Sequence, residues 1–241
     1  MPDDVFFFVR RDGHAAMPEK GPVMLPFKST RQVIIDAAGA LFARKGLDGT
    51  GIREIVKEAG TSLSSVNYHF TNKEGLYLAC IRHIMEEKLD LPGLFGTLDT
   101  GEYTTPQQVS DVMGYMMHRC LLALLGPGVP EWYGILMVRS RMDLHPKSSR
   151  ALMRLEEPQK LRTFVREHVP GVGDSFVQYW YVSVMAQIQY YIMEREAVLM
   201  AFDLPGYDKP FLTATASYMA ESMTQVLGLP APDHREVARR L

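Results

Sequence analysis

Cysteine is scarce in this sequence, and so are the long apolar runs of membrane proteins. Two cysteines among 241 residues, Cys80 and Cys120, are too few and too distant for a disulfide framework or a sulfur-rich zinc site. They fit a reducing cytoplasm. No apolar run reaches the roughly 20 residues of a spanning helix, and the N-terminus lacks the basic-then-apolar order of a signal peptide. The sequence therefore predicts a cytoplasmic protein without a membrane partner.

Enzyme motifs are also missing. The sequence has no glycine-rich phosphate loop after a strand, no His-Glu-x-x-His segment, no cysteine pair and no nucleophile elbow. Cys80 and His83 are one helical turn apart, but two ligands do not make a metal site. We therefore expect no catalytic residue, no metal and no cofactor. A helical enzyme or ligand-storage protein stays open as an alternative, and ligand turnover without DNA binding would favour it.

The chain has little excess charge of either sign. Its formal net charge is −2, and residues 28–90 carry nine Lys or Arg against eight Asp or Glu. A protein that coats nucleic acid non-specifically needs a large positive charge, whereas a specific binder needs only a local patch. Composition therefore gives no argument for DNA binding, and such a function must rest on a motif.

Helical periodicity is present along most of the chain, and no segment shows strand alternation with hairpin turns. We predict an all-α fold, with an extension over residues 1–27, a DNA-binding domain over 28–76 and a second helical domain over 77–241. Ser29 and Gln32 form a capping box for the first helix, and Gly46 ends it. Further helices are predicted over 72–89, 106–125, 131–144, 147–168, 174–200 and 209–227, with a loop over 91–105.

Residues 50–76 contain two short helical segments joined by a tight turn. Ile52 and Ile55 recur at helical spacing, and Gly60 stands where a helix ends in a left-handed residue. The second segment, 63–70, begins after only two further residues. This arrangement is typical of a helix-turn-helix whose second helix contacts DNA.

The second of these helices has one apolar and one polar face. The apolar face should hold the helix on the core without touching DNA, and it comprises Leu63, Val66 and Phe70, with Ile55 from the helix before. The polar face lacks Lys, Glu and Asp, and it offers groups that hydrogen-bond base edges and phosphates. Its side chains are Ser64, Ser65, Asn67, Tyr68 and His69.

Lys73 occupies the first turn of the predicted helix 72–89, for which Thr71 and Glu74 form a capping box. A cation is disfavoured at the positive end of a helix, and a bound phosphate would remove the conflict. A solvated lysine that pairs loosely with Glu74 is the alternative. Beside a recognition helix, we favour a phosphate contact.

Two blocks of residues follow a known pattern. The first is Ala37, Ala38, Leu41, Phe42 and Gly46, and the second is Thr50, Ile52, Arg53, Glu54, Ile55, Ala59, Gly60, Ser62, Tyr68, His69, Phe70, Lys73, Glu74 and Leu76. Residues 30–77 thereby resemble the TetR family of bacterial transcriptional repressors, with Asn67 where many members have Tyr and Val56 where Ala is usual. The run from Asn67 to Tyr77 is similar to the CecR-like branch.

The resemblance implies an all-helical homodimer that binds a palindromic DNA operator through its N-terminal domains and an inducer through its C-terminal ones. It also implies phosphate contacts from Thr50, Tyr68 and Lys73. Base contact or groove positioning is then expected from Ser64, Ser65, Asn67 and His69. We expect a repressor that a small hydrophobic or aromatic ligand releases, with an activator of the same fold as the alternative.

Segments 174–193 and 209–227 carry more apolar surface than one small domain needs. Paired with their copies in a second subunit, they would form a four-helix interface, and the alternative is a larger monomer core. Methionine, aromatic and a few polar residues nearby suit a pocket for a hydrophobic or planar inducer, although each also fits core packing. The candidates are Met113, Met116, Met117, His118, Trp132, Met137, Arg141, Tyr181, Met185, Gln187 and Tyr190.

Overall fold

Helices form the whole architecture in the computed structural model, which describes residues 28–142 and 157–241, and no strand occurs in those ranges. The all-α prediction is confirmed, whereas the predicted extension 1–27 lies outside the described residues. A π-helical segment, His83–Lys88, continues α4. The α-helices are α1 (Thr30–Lys45), α2 (Ile52–Glu58), α3 (Leu63–His69), α4 (Lys73–Arg82), α5 (Leu91–Thr100), α6 (Pro106–Leu125), α7 (Trp132–Met142), α8 (Glu157–His168), α9 (Asp174–Met193), α10 (Arg195–Ala201), α11 (Lys209–Val226) and α12 (His234–Arg240).

The ends of α1 follow the prediction in part. The Ser29 hydroxyl accepts a hydrogen bond from the backbone N–H of Gln32 at 3.2 Å, and Gly46 ends the helix at a φ of 73°. The second half of the expected capping box is wrong. The Gln32 amide donates instead to Asp36 Oδ1 at 2.8 Å and lies 3.2 Å from Nε2 of the buried His83, because both groups face it on the side of the core.

The cap of α4 lies one residue later than the sequence suggested. Asn72, not Thr71, caps the helix, and its Oδ1 accepts from the backbone N–H of Gly75 at 2.7 Å. The predicted Thr71–Glu74 capping box is therefore wrong, because an asparagine amide one position later reaches the free donors of the first turn. With its π-helical continuation, the helix still ends close to the predicted residue 89.

Residues 91–105 were expected to form a loop, and this expectation is wrong for most of the segment. Asp90 adopts a φ of 47° and its Oδ1 accepts from the N–H of Gly93 at 3.2 Å, which starts α5. Pro92 lies in the first turn, where a missing N–H costs nothing. Glycine and proline therefore suggested a loop where they belong to a capped helix.

Helix α6 has the predicted bounds, while the C-terminal end of the chain differs from the prediction. The expected helix over 174–200 is interrupted at Glu194, whose φ of −102° and ψ of 32° separate α9 from α10. Helix α12 was not predicted. For the helices predicted over 131–144 and 147–168, residues 143–156 lie outside the described residues.

Two large buried apolar clusters, and a smaller one of Val198, Tyr207 and Leu212, organise the described residues. The first joins α1 to α4 with α7, and the second joins α5, α6, α8, α9 and α11. Helix α7 packs closely on α1 at Gly39, where an added Cβ atom would lie 2.3 Å from Cζ3 of Trp132. The packing of the helix-turn-helix segment therefore continues across residue 76 into α7.

Candidate nucleic-acid interface

Helix α3 is held at both ends. The Ser62 hydroxyl accepts from the N–H of Ser65 at 3.1 Å, and Gly60, at a φ of 59°, makes the left-handed turn that precedes it. Val66 and Phe70 are buried in the first cluster, as predicted. The prediction that Leu63 packs on the core is wrong. Leu63 is the first residue of the helix, and its side chain is 49% exposed.

The predicted polar face of α3 is largely accessible. Ser64, Asn67 and Tyr68 are exposed, and Ser65 and His69 are half-buried. The Ser62 hydroxyl lies 2.7 Å from Ser64 Oγ and 2.9 Å from Ser65 Oγ, so three hydroxyls are linked at the start of the helix. Each hydroxyl retains further hydrogen-bonding capacity for an external group.

Tyr68 is 85% exposed, although a phenol ring gains free energy from burial. Its ring stands edge-on to His69, with 5.0 Å between the ring centroids. This contact gives the ring an orientation without covering it. An oriented and exposed aromatic side chain beside the serine hydroxyls of α3 indicates a surface that binds another molecule.

Thr50 and Lys73 are coupled to each other. Thr50 is only 2% exposed, and its hydroxyl donates to the Gly46 carbonyl at 2.7 Å. The Thr50 carbonyl in turn accepts from Lys73 Nζ at 3.2 Å. The Thr50 side chain therefore holds the turn after α1 and positions the ammonium, and its own phosphate contact stays a prediction. Lys73 has this carbonyl as its partner rather than Glu74, and two of its three donors are left for an anion.

Arg31 was not recognised from the sequence as part of this surface. Its guanidinium carbon lies 5.7 Å from the centroid of the Phe70 ring, which places a positive charge beside the end of α3. The side chain is exposed and forms no ion pair within the described ranges. Its position in the first turn of α1, two residues after the cap Ser29, was the only signal in the sequence.

Salt bridges explain how a nearly neutral domain can still present cations. Lys28 pairs with Asp36 at 2.6 Å, and Lys45 pairs with Glu54. In each of these pairs the ammonium group neutralises a carboxylate. Arg31 lies over Phe70 at the C-terminal end of α3, and Lys73 begins α4 directly after it. Neither cation forms an ion pair with a described residue, and together they give the local patch that a specific binder needs.

Most of the apolar candidate inducer residues pack in or against the buried clusters, and their role in a pocket stays a prediction. Met113, Met116 and Met117 are buried in the second cluster, while Trp132 and Met137 pack against the first. All five side chains therefore contribute to apolar packing, which was the alternative interpretation of these candidates in the sequence. Of the remaining candidates, His118 is buried, Gln187 is half-buried, and Arg141 and Tyr190 are exposed. Tyr181 and Met185 pack against the second cluster.

His118 shows why a polar candidate inside the helical domain is not free for a ligand. Its Nδ1 lies 2.8 Å from the Gly114 carbonyl and its Nε2 lies 3.3 Å from the Ser217 hydroxyl. Burial lowers the pKa of the imidazole, which favours the neutral ring. The imidazole therefore has internal partners on both nitrogens.

Helices α9 and α11 expose several large apolar side chains. On α9 the opposite side is buried, and Trp180 Nε1 donates to the Met223 carbonyl of α11 at 2.9 Å. The predicted excess of apolar surface is confirmed for segment 174–193, whereas most apolar side chains of α11 are buried. The exposed members are Phe176, Tyr179, Val182, Tyr190, Met193, Tyr218 and Val226.

The geometry of α2, the turn and α3 defines a helix-turn-helix protein with an all-helical C-terminal part. Residues 34–80 match the family model described as "Bacterial regulatory proteins, tetR family". Residues 34–80 therefore carry the N-terminal domain of the TetR family, as the sequence pattern indicated. The described residues contain no group of three or more His, Cys, Asp or Glu suited to a metal ion.

Curated relatives match the chain over part of its length. The chain is 29% identical over 154 residues to "Probable HTH-type transcriptional regulator YttP" of Bacillus subtilis, a match over 59% of this chain and 70% of that protein. It is 37% identical over 59 residues to "HTH-type transcriptional dual regulator CecR" of Shigella flexneri, over 24% of this chain and 26% of that protein. Membership of the CecR-like branch stays a prediction.

The fold similarity extends along the whole molecule. The crystal structure of Mycobacterium smegmatis AmtR superposes with a TM-score of 0.61 at 20% identity, covering 90% of this chain and 96% of that one. The C-terminal helices therefore share the fold of that solved structure. Among the helices of residues 28–142 and 157–241, none has the length and hydrophobicity to cross a bilayer.

Proposed function

We propose that this protein is a cytoplasmic homodimeric repressor that binds a palindromic operator through α3 and is released when a small molecule binds its C-terminal helices. The observation that carries the proposal is the polar face of α3, where an oriented, uncovered Tyr68 adjoins linked serine hydroxyls and the exposed Asn67. These groups match the donors and acceptors on base edges and phosphates.

Operator binding assigns two roles to this surface. Lys73, fixed on the Thr50 carbonyl, and Tyr68 would contact phosphates and set the register of the protein on DNA. Asn67, Ser64, Ser65 and His69 would face the major groove. An asparagine amide can form two hydrogen bonds with adenine, so Asn67 is the strongest candidate for a base-specific contact.

The exposed apolar side chains of α9 and α11 support the dimer. Large uncovered apolar patches on a protein surface mark interaction sites, and a two-fold axis buries the same patch of both subunits. A dimer would present two copies of α3 to successive major grooves, about 34–36 Å apart. Release then requires a ligand that binds more tightly to an arrangement with another spacing, because equal affinity for both arrangements shifts nothing.

Selection of operators from random duplex DNA tests the proposal. We expect the full chain to enrich a palindrome with half-sites one helical turn apart, and Asn67→Ala to change the preferred base at one position of each half-site. Glu102→Ala, an exposed position between α5 and α6, is the matched control and should enrich the wild-type sequence. Enrichment of no sequence, or an identical preference for Asn67→Ala, would contradict the proposal.

Transcription in vitro separates repressor from activator. The selected operator is placed across a promoter, and transcripts are counted with and without the protein. We expect fewer transcripts with the wild-type protein and no change with Asn67→Ala. A rise in transcripts would favour the activator.

A further inference from the structure

A cavity of about 380 Å³ opens where the α6–α7 connection faces the break between α9 and α10. This volume is typical of small-molecule sites. Its apolar wall belongs to the first buried cluster or packs against it, and the cavity lies apart from the eleven candidate inducer residues. The aliphatic residues of this wall are Leu124, Leu125, Val129, Ile135 and Ile192.

The polar wall of the cavity is acidic. Three carboxylates line it, those of Glu131, Glu194 and Glu196, against the single guanidinium of Arg195. Arg195 Nε lies 3.0 Å from Glu131 Oε1. Neither Glu194 nor Glu196 forms an ion pair with another described residue. The lining therefore has more negative charge than its own cation neutralises.

Tyr207 gives the cavity an aromatic face with a fixed position. Its hydroxyl donates to the Tyr191 carbonyl at 2.9 Å, and its ring is stacked on Phe211 with 5.4 Å between the centroids. Burial raises the pKa of Tyr207 to about 12, so the phenol remains neutral. The guanidinium carbon of Arg195 lies 4.4 Å from the centroid of this ring.

An aromatic face and a carboxylate that converge on one point are the groups that recognise an organic cation. In this structure the Arg195 side chain occupies that point. We propose that the cavity binds a small organic cation with an apolar body, whose charged head replaces the Arg195 guanidinium against Tyr207 and Glu131. The apolar body then lies along Ile135 and Ile192, and the displaced guanidinium pairs with Glu194 or Glu196.

The regulatory part of this inference rests on the proposed function. Leu124 and Ile192 belong to the same buried cluster as Val66 and Phe70, which hold α3. Ile135 lies on α7, the helix that packs on α1. A ligand in the cavity therefore contacts side chains of the buried cluster on which α3 packs. Through this cluster, the ligand can favour one packing arrangement of α3.

Calorimetric titration of the full chain with benzyltrimethylammonium tests the ligand class. The neutral N,N-dimethylbenzamide and the anion 3-phenylpropanoate are the comparators, because both have a similar apolar body. We expect one cation bound per chain, about tenfold more tightly than either comparator. Equal affinity for the three compounds, or preference for the anion, would overturn the inference.

Variants of the internal cation make the test sharper. Arg195→Ala removes the competitor, so it should bind the cation severalfold more tightly, whereas Glu131→Gln should bind it about fivefold more weakly. Glu102→Gln is the control outside the cavity. Arg195→Ala and Glu131→Gln change partly exposed side chains, and thermal unfolding followed by circular dichroism verifies that both variants fold. Weaker cation binding by Arg195→Ala would show that the arginine supports the site rather than competing with the ligand, and it would overturn the inference.

Operator binding is measured separately by gel shift. Operator binding without cation binding overturns this inference and leaves the proposed function standing. Cation binding without operator binding supports the ligand class inferred for the cavity and contradicts the proposed function.

Discussion

Lys73 shows how a residue that is unfavourable by itself acquires a defined position. The ammonium group of Lys73 donates a hydrogen bond to the carbonyl of the buried Thr50. This bond fixes a positive charge at the positive end of α4, where a free lysine side chain would turn towards water. The sequence motif alone predicted the role of Lys73. The bond to Thr50 could not be predicted, because it depends on how closely the turn after α1 approaches α4.

Replacing Lys73 by Ala should weaken binding to specific and random DNA by about the same factor. The reason is that a phosphate contact carries no sequence information, and the slope of log K against log salt should fall by about 1. Fluorescence anisotropy at several salt concentrations measures both quantities. Lys209→Ala, an exposed lysine on α11, is the control and should leave the slope unchanged. A loss confined to the operator would contradict a phosphate contact.

The two cysteines should be nearly inert at neutral pH. Burial raises the pKa of Cys120 to about 11 and raises that of Cys80 as well. The thiolate is the reactive form, so only a small fraction reacts at pH 8, and the Cys120 rate should rise as the pH approaches 11. Ellman's reagent should label both thiols rapidly in denaturant and neither rapidly in the native protein. Fast native labelling at pH 8 would contradict the burial.

At the scale of helices, the sequence predicted best where periodicity and caps agreed. Helix α6 begins at Pro106 and ends before Gly126, both of which are visible signals. Helix α5 was missed because its cap, Asp90, has the left-handed conformation that the sequence does not reveal. The cavity was missed for a related reason, since it is formed by the ends of elements and by a break at Glu194 within an uninterrupted apolar pattern.

The contact between α1 and α7 should depend on the absence of a side chain at residue 39. In Gly39→Ala, the new methyl group would lie 2.3 Å from the Trp132 ring, so the ring must shift, and we expect about 1–3 kcal/mol of lost stability. Chemical denaturation measures the free energy of unfolding, and tryptophan fluorescence detects the shift of the ring.

Two further variants control for effects unrelated to Trp132. Gly96→Ala on α5 has no atom within 4 Å of the new methyl group and should be neutral or slightly stabilising, because alanine favours a helix. Trp132→Leu combined with Gly39→Ala should lose less stability than the two single changes added together. Additive losses would show that the two positions are not in contact.

At the scale of the whole molecule, the uncovered side chains of α9 and α11 set the expected assembly. Tyr179 on α9 is 75% exposed. Tyr179→Glu should leave the monomer folded but convert the dimer to a monomer, because two like charges would face each other across the axis. Light scattering after size exclusion measures the mass, and the monomer should bind a palindrome far more weakly.

An exposed position on another helix provides the control for this change. Glu167 lies on α8, and Glu167→Lys should keep both the dimer mass and the operator affinity. A wild-type protein that runs as a monomer at micromolar concentration, or a Tyr179→Glu variant that remains a dimer, would contradict the assignment of this surface.

The shared core of α1 and α7 has a consequence for protein engineering. Tyr133 and Leu136 of α7 are buried in the same cluster as Phe42 and Tyr77, and Trp132 covers Gly39. A fragment that stops at residue 90 would leave that face of α1 open to water. We expect such a fragment to aggregate or unfold when it is grafted onto another protein. In this chain, the DNA-binding unit can be transplanted only together with a helix that lies more than 40 residues further along the sequence.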